Sequence, residues 1–298
     1  MKFTKLLGFA AVCAAFSGAA GAQALTGTLQ QVDKAGMITL GVRDSSPPFS
    51  YSVGPGKYTG YGYEIMMKIF DNIKKTLHKP DLKYRLLPIT SQNRIALVKN
   101  GTFAIECGST TNNANRAEQV GFSINYFAIG TRLLTAKDSG IHDFPDLKGQ
   151  NVVTIAGSTS EKILQKMNVE KKMGMNILSL PETSQAFLAL QQGRAKAFMI
   201  DDAILYAVRS ASPDPSKWVV VGKPQSYEAY ACMMPKDDTE LKKVVDSTIL
   251  DMIKSGQMNA LYTKWFEKPI PPNNVSLDFP MSDIVKQILA KPSDKGFQ

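Results

Sequence analysis

From Met37 onward, short apolar runs alternate with stretches whose apolar residues recur at helical spacing, the pattern of an α/β chain. The runs at 37–42, 82–87, 103–107, 152–156, 175–178, 197–200 and 218–221 are predicted strands. Between them, Ile65, Met66, Ile69, Phe70, Ile73 and Leu77 fall on one helical face. Leu241, Val244, Val245, Thr248, Ile249, Met252 and Ile253 do the same, and both faces are predicted core. Two further apolar runs, 131–136 and 229–234, stand outside the α/β units. The first leads through Lys137-Asp138-Ser139-Gly140 into a second unit near Asp146, and after the second only helices are expected. Two connections between two lobes make a hinge, and ligands collect in such clefts at the carboxyl ends of strands. The expected partition is lobe 1 over 25–130, lobe 2 over 131–226, and a return hinge strand with C-terminal helices over 227–298 completing lobe 1.

The chain has 298 residues, 44% hydrophobic and 20% charged, which excludes disordered and fibrous classes. Lys2 and Lys5 precede an uncharged run over 6–16 that is too short to span a bilayer, and Ala22-Gln23-Ala24 follows. That order predicts a signal peptide over 1–24, cleaved after Ala24, and export to the periplasm. The remaining positive charge is scattered and the compartment holds no nucleic acid, so a nucleic-acid partner is not expected. Cys107 and Cys232 lie in apolar runs and meet an oxidising compartment, so a disulfide is expected over two separately buried thiols.

His78 and His142 are the only histidines, and neither has a partner at metal-ligand spacing. No P-loop, dinucleotide loop or nucleophile elbow is present, so no cofactor, metal or catalytic triad is expected. Anion-binding chemistry is better represented. Arg43 follows the first strand, Ser91 and Arg94 open a helix in Thr90-Ser91-Gln92-Asn93-Arg94, and Ser109 and Thr111 follow the strand ending at Cys107. Arg116 comes five residues after Thr111. Guanidinium forks match carboxylates, and hydroxyls with helix N-terminal amides add the remaining donors. In lobe 2, Thr159 lies in Ala156-Gly157-Ser158-Thr159-Ser160-Glu161, which also reads as a helix N-cap. Asp201 ends a strand where it can accept from an ammonium, and Asp202 is the more natural cap of the next helix. An anion box with one acid opposite suggests an amino acid zwitterion.

These segments resemble the periplasmic solute-binding proteins of ABC uptake systems for polar amino acids, and within them the members for glutamate and aspartate. The likeness runs through nearly the whole mature chain. It is carried by Pro48-Phe49-Ser50-Tyr51, Ile89-Thr90-Ser91-Gln92-Asn93-Arg94, Glu106-Cys107-Gly108-Ser109-Thr110-Thr111-Asn112-Asn113, Gly222-Lys223-Pro224-Gln225-Ser226 and Pro269-Ile270-Pro271-Pro272. The resemblance implies a type II two-lobe fold, each lobe a mixed, mostly parallel sheet flanked by helices. It also implies a monomer without enzymatic activity that closes on L-glutamate or L-aspartate and delivers it to an inner-membrane ABC permease. By the same resemblance, Arg116, Ser109, Thr111 and Thr159 hold the ligand α-carboxylate, Asp201 its ammonium, and Arg43, Arg94 and Ser91 its side-chain carboxylate. Thr183 stands where such relatives carry a histidine, and Ala104 where an acid is usual. The alternative on the same fold is a secreted cyclohexadienyl dehydratase acting on arogenate or prephenate, which needs a general acid. Glu64 and Glu106 are the candidates for that acid.

Overall fold

The computed structural model describes residues 25–297, so the expected signal peptide over 1–24 lies outside the described residues. Two main sheets form. In the first, strand Met37–Val42 lies between Lys83–Pro88 and Ile105–Glu106 and runs parallel to both. Strand Met233–Met234 then adds antiparallel to Ile105–Glu106, and Gly121–Phe122 closes the order. In the second, Asn151–Ile155 runs parallel to Asn176–Leu180 and to Ala197–Asp201. Parallel pairing thus holds each α/β centre, and antiparallel pairs appear where the connecting strands join.

Those connecting strands are Phe127–Ala136 and Tyr227–Tyr230, paired antiparallel with Ala128 opposite Ala229. The first also pairs with Ala197–Asp201, and the second with Thr111–Asn112. Between Tyr230 and Met233 the chain crosses from the second sheet to the first. Cys107 and Cys232 are bonded at this crossing, across a sequence separation of 125 residues. The expected disulfide is therefore present, and it fastens the returning strand to the strand ending beside Cys107.

The helical faces read from the sequence are buried as expected. Helix Tyr61–Thr76 buries Ile65, Met66, Ile69, Phe70 and Ile73, and helix Thr239–Lys254 buries Leu241, Val244, Val245, Ile249 and Met252 against it. Asn72 Nδ2 donates to Thr248 Oγ1 across that contact at 2.8 Å. Under the cleft, Phe49 meets Phe127 and Tyr230 edge to face at 4.9 and 5.0 Å between centroids. Such aromatic pairs contribute about 0.5–1.5 kcal/mol each beyond area burial, so the floor of the hinge is stiff. A small sheet of Ser45–Ser46, Ser50–Gly54 and Lys57–Thr59 was not predicted, because its strands are short and carry no apolar alternation.

Candidate functional site

Arg43 leaves the first sheet immediately after strand Met37–Val42, and its backbone N–H donates to Ser50 Oγ at 3.0 Å. Its side chain is buried, yet Nε and Nη1 have no protein partner. Arg94 is the first residue of helix Arg94–Lys99 and is equally buried. Its Nε is also unpartnered, and Nη1 makes only a long 3.4 Å bond to the Ser109 carbonyl. Burial first, then the Arg116 and Arg43 charges, pull the Arg94 guanidinium down to about 9, with Glu106 opposing. Arg116, in helix Ala114–Ala117, donates from Nη1 to the Thr111 carbonyl at 2.9 Å. From Nη2 it reaches across the cleft to the Gly157 carbonyl at 3.3 Å.

The lobe 2 wall comes from helix starts. Ser158 caps helix Thr159–Glu170 by accepting from the Glu161 N–H at 3.0 Å, and Glu161 reaches back to the Gly157 N–H at 2.8 Å. The expected cap is therefore real, and it leaves Thr159 facing the cleft. Thr183 opens helix Thr183–Gln191 and is buried. Asp201 ends strand Ala197–Asp201. The cap expected at Asp202 falls instead on Asp201, and the Asp201 side chain makes no cap bond. Its Oδ2 accepts from the Tyr230 hydroxyl, while Oδ1 is buried without a partner. Burial, followed by repulsion from Glu228, holds the Asp201 carboxyl well above the ordinary carboxylate range.

All nine candidate residues, Arg43, Ser91, Arg94, Ser109, Thr111, Arg116, Thr159, Thr183 and Asp201, line one interlobe cavity. Apolar walls come from Ile155, Ile200 and Ile204, and Ser46 joins through a 2.8 Å bond between its Oγ and that of Ser109. The lobes already touch around this cavity, since the Ser184 N–H donates to Ser45 Oγ at 2.9 Å.

Two buried acids change the picture drawn from sequence. Glu106 is fully buried and acts on the Arg94 and Arg116 charges. Glu228, on strand Tyr227–Tyr230, accepts from the Thr111 hydroxyl and from Thr159 Oγ1 at 2.6 Å, both on Oε2. Its Oε1 takes the Ser226 hydroxyl at 2.9 Å. A hydroxyl has one hydrogen, so neither threonine has one left to donate to a carboxylate, contrary to the role expected for them. Three arginines therefore face three carboxylates rather than one. Glu228 follows no strand end and belongs to no short motif, so pattern reading passes it over.

Of the dehydratase candidates, Glu64 bonds Lys264 Nζ at 2.6 Å and Trp265 Nε1 at 3.0 Å and does not line the cavity. Glu106 lies behind the arginines, with Oε2 taken by Thr110 Oγ1 at 2.6 Å. Among the described residues, no group of three or more His, Cys, Asp or Glu could hold a metal ion. No described helix is long and apolar enough to cross a membrane.

Comparison with known proteins adds an independent line. Residues 38–268 match the bacterial extracellular solute-binding proteins, family 3. The chain is 52% identical to an L-glutamate/L-aspartate-binding protein of Pseudomonas aeruginosa over 98% of this chain and 97% of that one. It is 48% identical to a glutamate/aspartate import solute-binding protein of Escherichia coli, covering 92% of this chain and 91% of that one. Among solved structures, an ancestral arginine-binding protein bound to arginine superposes with a TM-score of 0.69 at 28% identity. That match covers 78% of this chain and 98% of the other. An ancestral amino acid-binding protein described as a precursor of cyclohexadienyl dehydratase gives 0.70 at 26% identity over 80% of this chain and 99% of the other.

Proposed function

The chain belongs to the bacterial extracellular solute-binding proteins of family 3, and from that premise we propose that it captures L-glutamate or L-aspartate and delivers it to an ABC permease. The setting is the periplasm, reached after cleavage behind Ala24, and a single chain supplies the whole site. The lobes are 25–130 and 131–226, with 227–298 returning to the first. Arg43, Arg94 and Ser91 take the side-chain carboxylate, Arg116 and Ser109 the α-carboxylate, and Asp201 the ammonium.

One observation carries this assignment. Buried guanidinium donors of Arg43 and Arg94 that line the cavity lack partners, and so does a buried Asp201 oxygen in the same lining. Buried polar groups are ordinarily paired, so a ligand that satisfies both the donors and the acceptor removes an unfavourable term that other ligands leave in place. Because Arg116 and Thr159 stand on opposite walls, a ligand touching both stabilises the closed arrangement alone. Glutamine would present an amide to the Arg43–Arg94 end and leave a desolvated cation poorly matched. Catalysis is not part of the proposal, because the relatives named above are binding and import proteins. A thermal-shift screen of the ligand-stripped protein against the common amino acids tests it. Glutamate and aspartate should raise the midpoint most, and a larger rise with a neutral or basic amino acid would refute the assignment.

A further inference from the structure

We infer that Glu228 is a positioning residue that dictates amine selectivity by turning Thr111 and Thr159 into hydrogen-bond acceptors. This rests on the amino acid binding proposed above and adds a residue that touches no ligand.

The geometry is specific. Glu228 sits on the return hinge strand opposite Ile129 of the outgoing one, with its carboxylate buried beneath the cavity. Thr111 belongs to lobe 1 and pairs with Tyr230 of the same hinge strand, while Thr159 opens a lobe 2 helix. Both hydroxyls end on the same oxygen, Glu228 Oε2. Each threonine has one hydrogen and two lone pairs, so what it turns to the cavity is acceptor character alone. With the unpartnered Oδ1 of Asp201, these oxygens form a set that an ammonium can satisfy and a carbonyl or carboxylate cannot. A single carboxylate also joins a residue of each lobe to the hinge, so the acceptor set is assembled only when the lobes meet.

The test compares glutamate with 2-oxoglutarate, which keeps both carboxylates and puts an acceptor where the ammonium was. Titration calorimetry is run on wild type, Glu228→Ala, Glu228→Gln and Thr159→Val. In Glu228→Ala the threonine hydrogens are released, and the preference for glutamate over 2-oxoglutarate should shrink at least about tenfold. Glu228→Gln keeps an acceptor for both threonines and can donate its amide to Ser226, so it should hold the preference within about threefold. Thr159→Val, close in shape and without lone pairs, should weaken glutamate about tenfold or more and leave 2-oxoglutarate no weaker. If Glu228→Ala and Thr159→Val lower both ligands by the same factor, Glu228 is only a structural residue and the inference falls. Should Glu228→Ala fail to fold, the Gln and Val variants decide. Failure of the wild type to bind glutamate or aspartate would instead strike the proposed function.

Discussion

Replacing Arg94 by methionine should make the protein more stable and less able to bind. Arg94 is only 2% exposed, its Nε has no partner, and two other guanidinium groups repel it. Its fall from 12.5 to about 9 corresponds to roughly 5 kcal/mol against the buried cation at neutral pH. Relaxation, water and the lost attraction to Glu106 reduce such figures, and we take about 1–4 kcal/mol, the range for replacing a whole buried ion pair by apolar groups. For a chain of this length that is a rise in Tm of roughly 2–10 °C for the ligand-stripped protein. In the proposed binding mode the same exchange removes a charged hydrogen-bond partner from the side-chain carboxylate. The loss is about 1.5–3 kcal/mol, or roughly ten- to a hundredfold in Kd for glutamate, with glutamine affected less. Scanning calorimetry and titration calorimetry on wild type and Arg94→Met measure both. A lowered Tm would show that the cation is not strained, and an equal loss of glutamate and glutamine would show that it does not face the side chain.

Three further outcomes are expected. Gly157 has φ of +76°, and a Cβ there would lie 2.6 Å from Gln92 Cα and 2.8 Å from Gln92 N on the facing lobe; Gly157→Ala should cost at least about tenfold in affinity and abolish the ligand-induced compaction seen by small-angle scattering. Removing the disulfide with a Cys107→Ala/Cys232→Ala pair releases a loop of 125 residues, which in the chain-entropy view lowers stability by about 5 kcal/mol; urea unfolding reads it, and an unchanged midpoint would contradict the estimate. Asp202 is pushed up to about 6, chiefly by burial, so the folded state holds a proton that the unfolded chain loses near 3.8; its contribution is present at about pH 4 and is lost as pH rises through 6, so the stability of Asp202→Asn relative to wild type should grow by roughly 3 kcal/mol by pH 7.

The three site arginines are legible in sequence because each follows a strand end by a few residues, where an α/β sheet delivers its chain to the cleft. Thr159 is legible for a related reason, as a helix start that follows a strand of the second sheet, whereas Thr183, which also opens such a helix, enters only through the resemblance. Glu228 is not. In Tyr227-Glu228-Ala229-Tyr230 it has the alternation of an ordinary half-exposed strand, and its burial arises only because the hinge passes beneath the cavity. The choice between Asp201 and Asp202 as helix cap was likewise beyond sequence. Asp201 stands at the cap position, but one of its oxygens goes to Tyr230, twenty-nine residues away, and its side chain caps nothing. Local spacing thus locates residues that reach the cleft from one element, and misses those that matter through two.

Counting arginines also overstates how positive the site is. Arg43, Arg94 and Arg116 are matched in number by Glu106, Asp201 and Glu228, so formal charge alone would not prefer an anion. The arrangement does, because the charges are sorted. Asp201 and Glu228 act mainly on Arg116, whereas Arg94 feels Arg116 and Arg43, with Glu106 and then Tyr230 in opposition. The cavity is therefore acidic toward the hinge and cationic toward Arg43 and Arg94. Thr159 and Thr183 add the positive ends of two helices along the opposite wall. An α-amino acid with an acidic side chain fits that gradient, its ammonium toward Asp201, its α-carboxylate beside it on Arg116 and its side-chain carboxylate toward Arg43 and Arg94, and one reversed in the cleft would meet repulsion at both ends. Orientation as well as affinity follows, so exchanging Asp201 for asparagine should weaken L-glutamate and L-aspartate alike, whereas Arg94→Met should separate them from neutral amino acids.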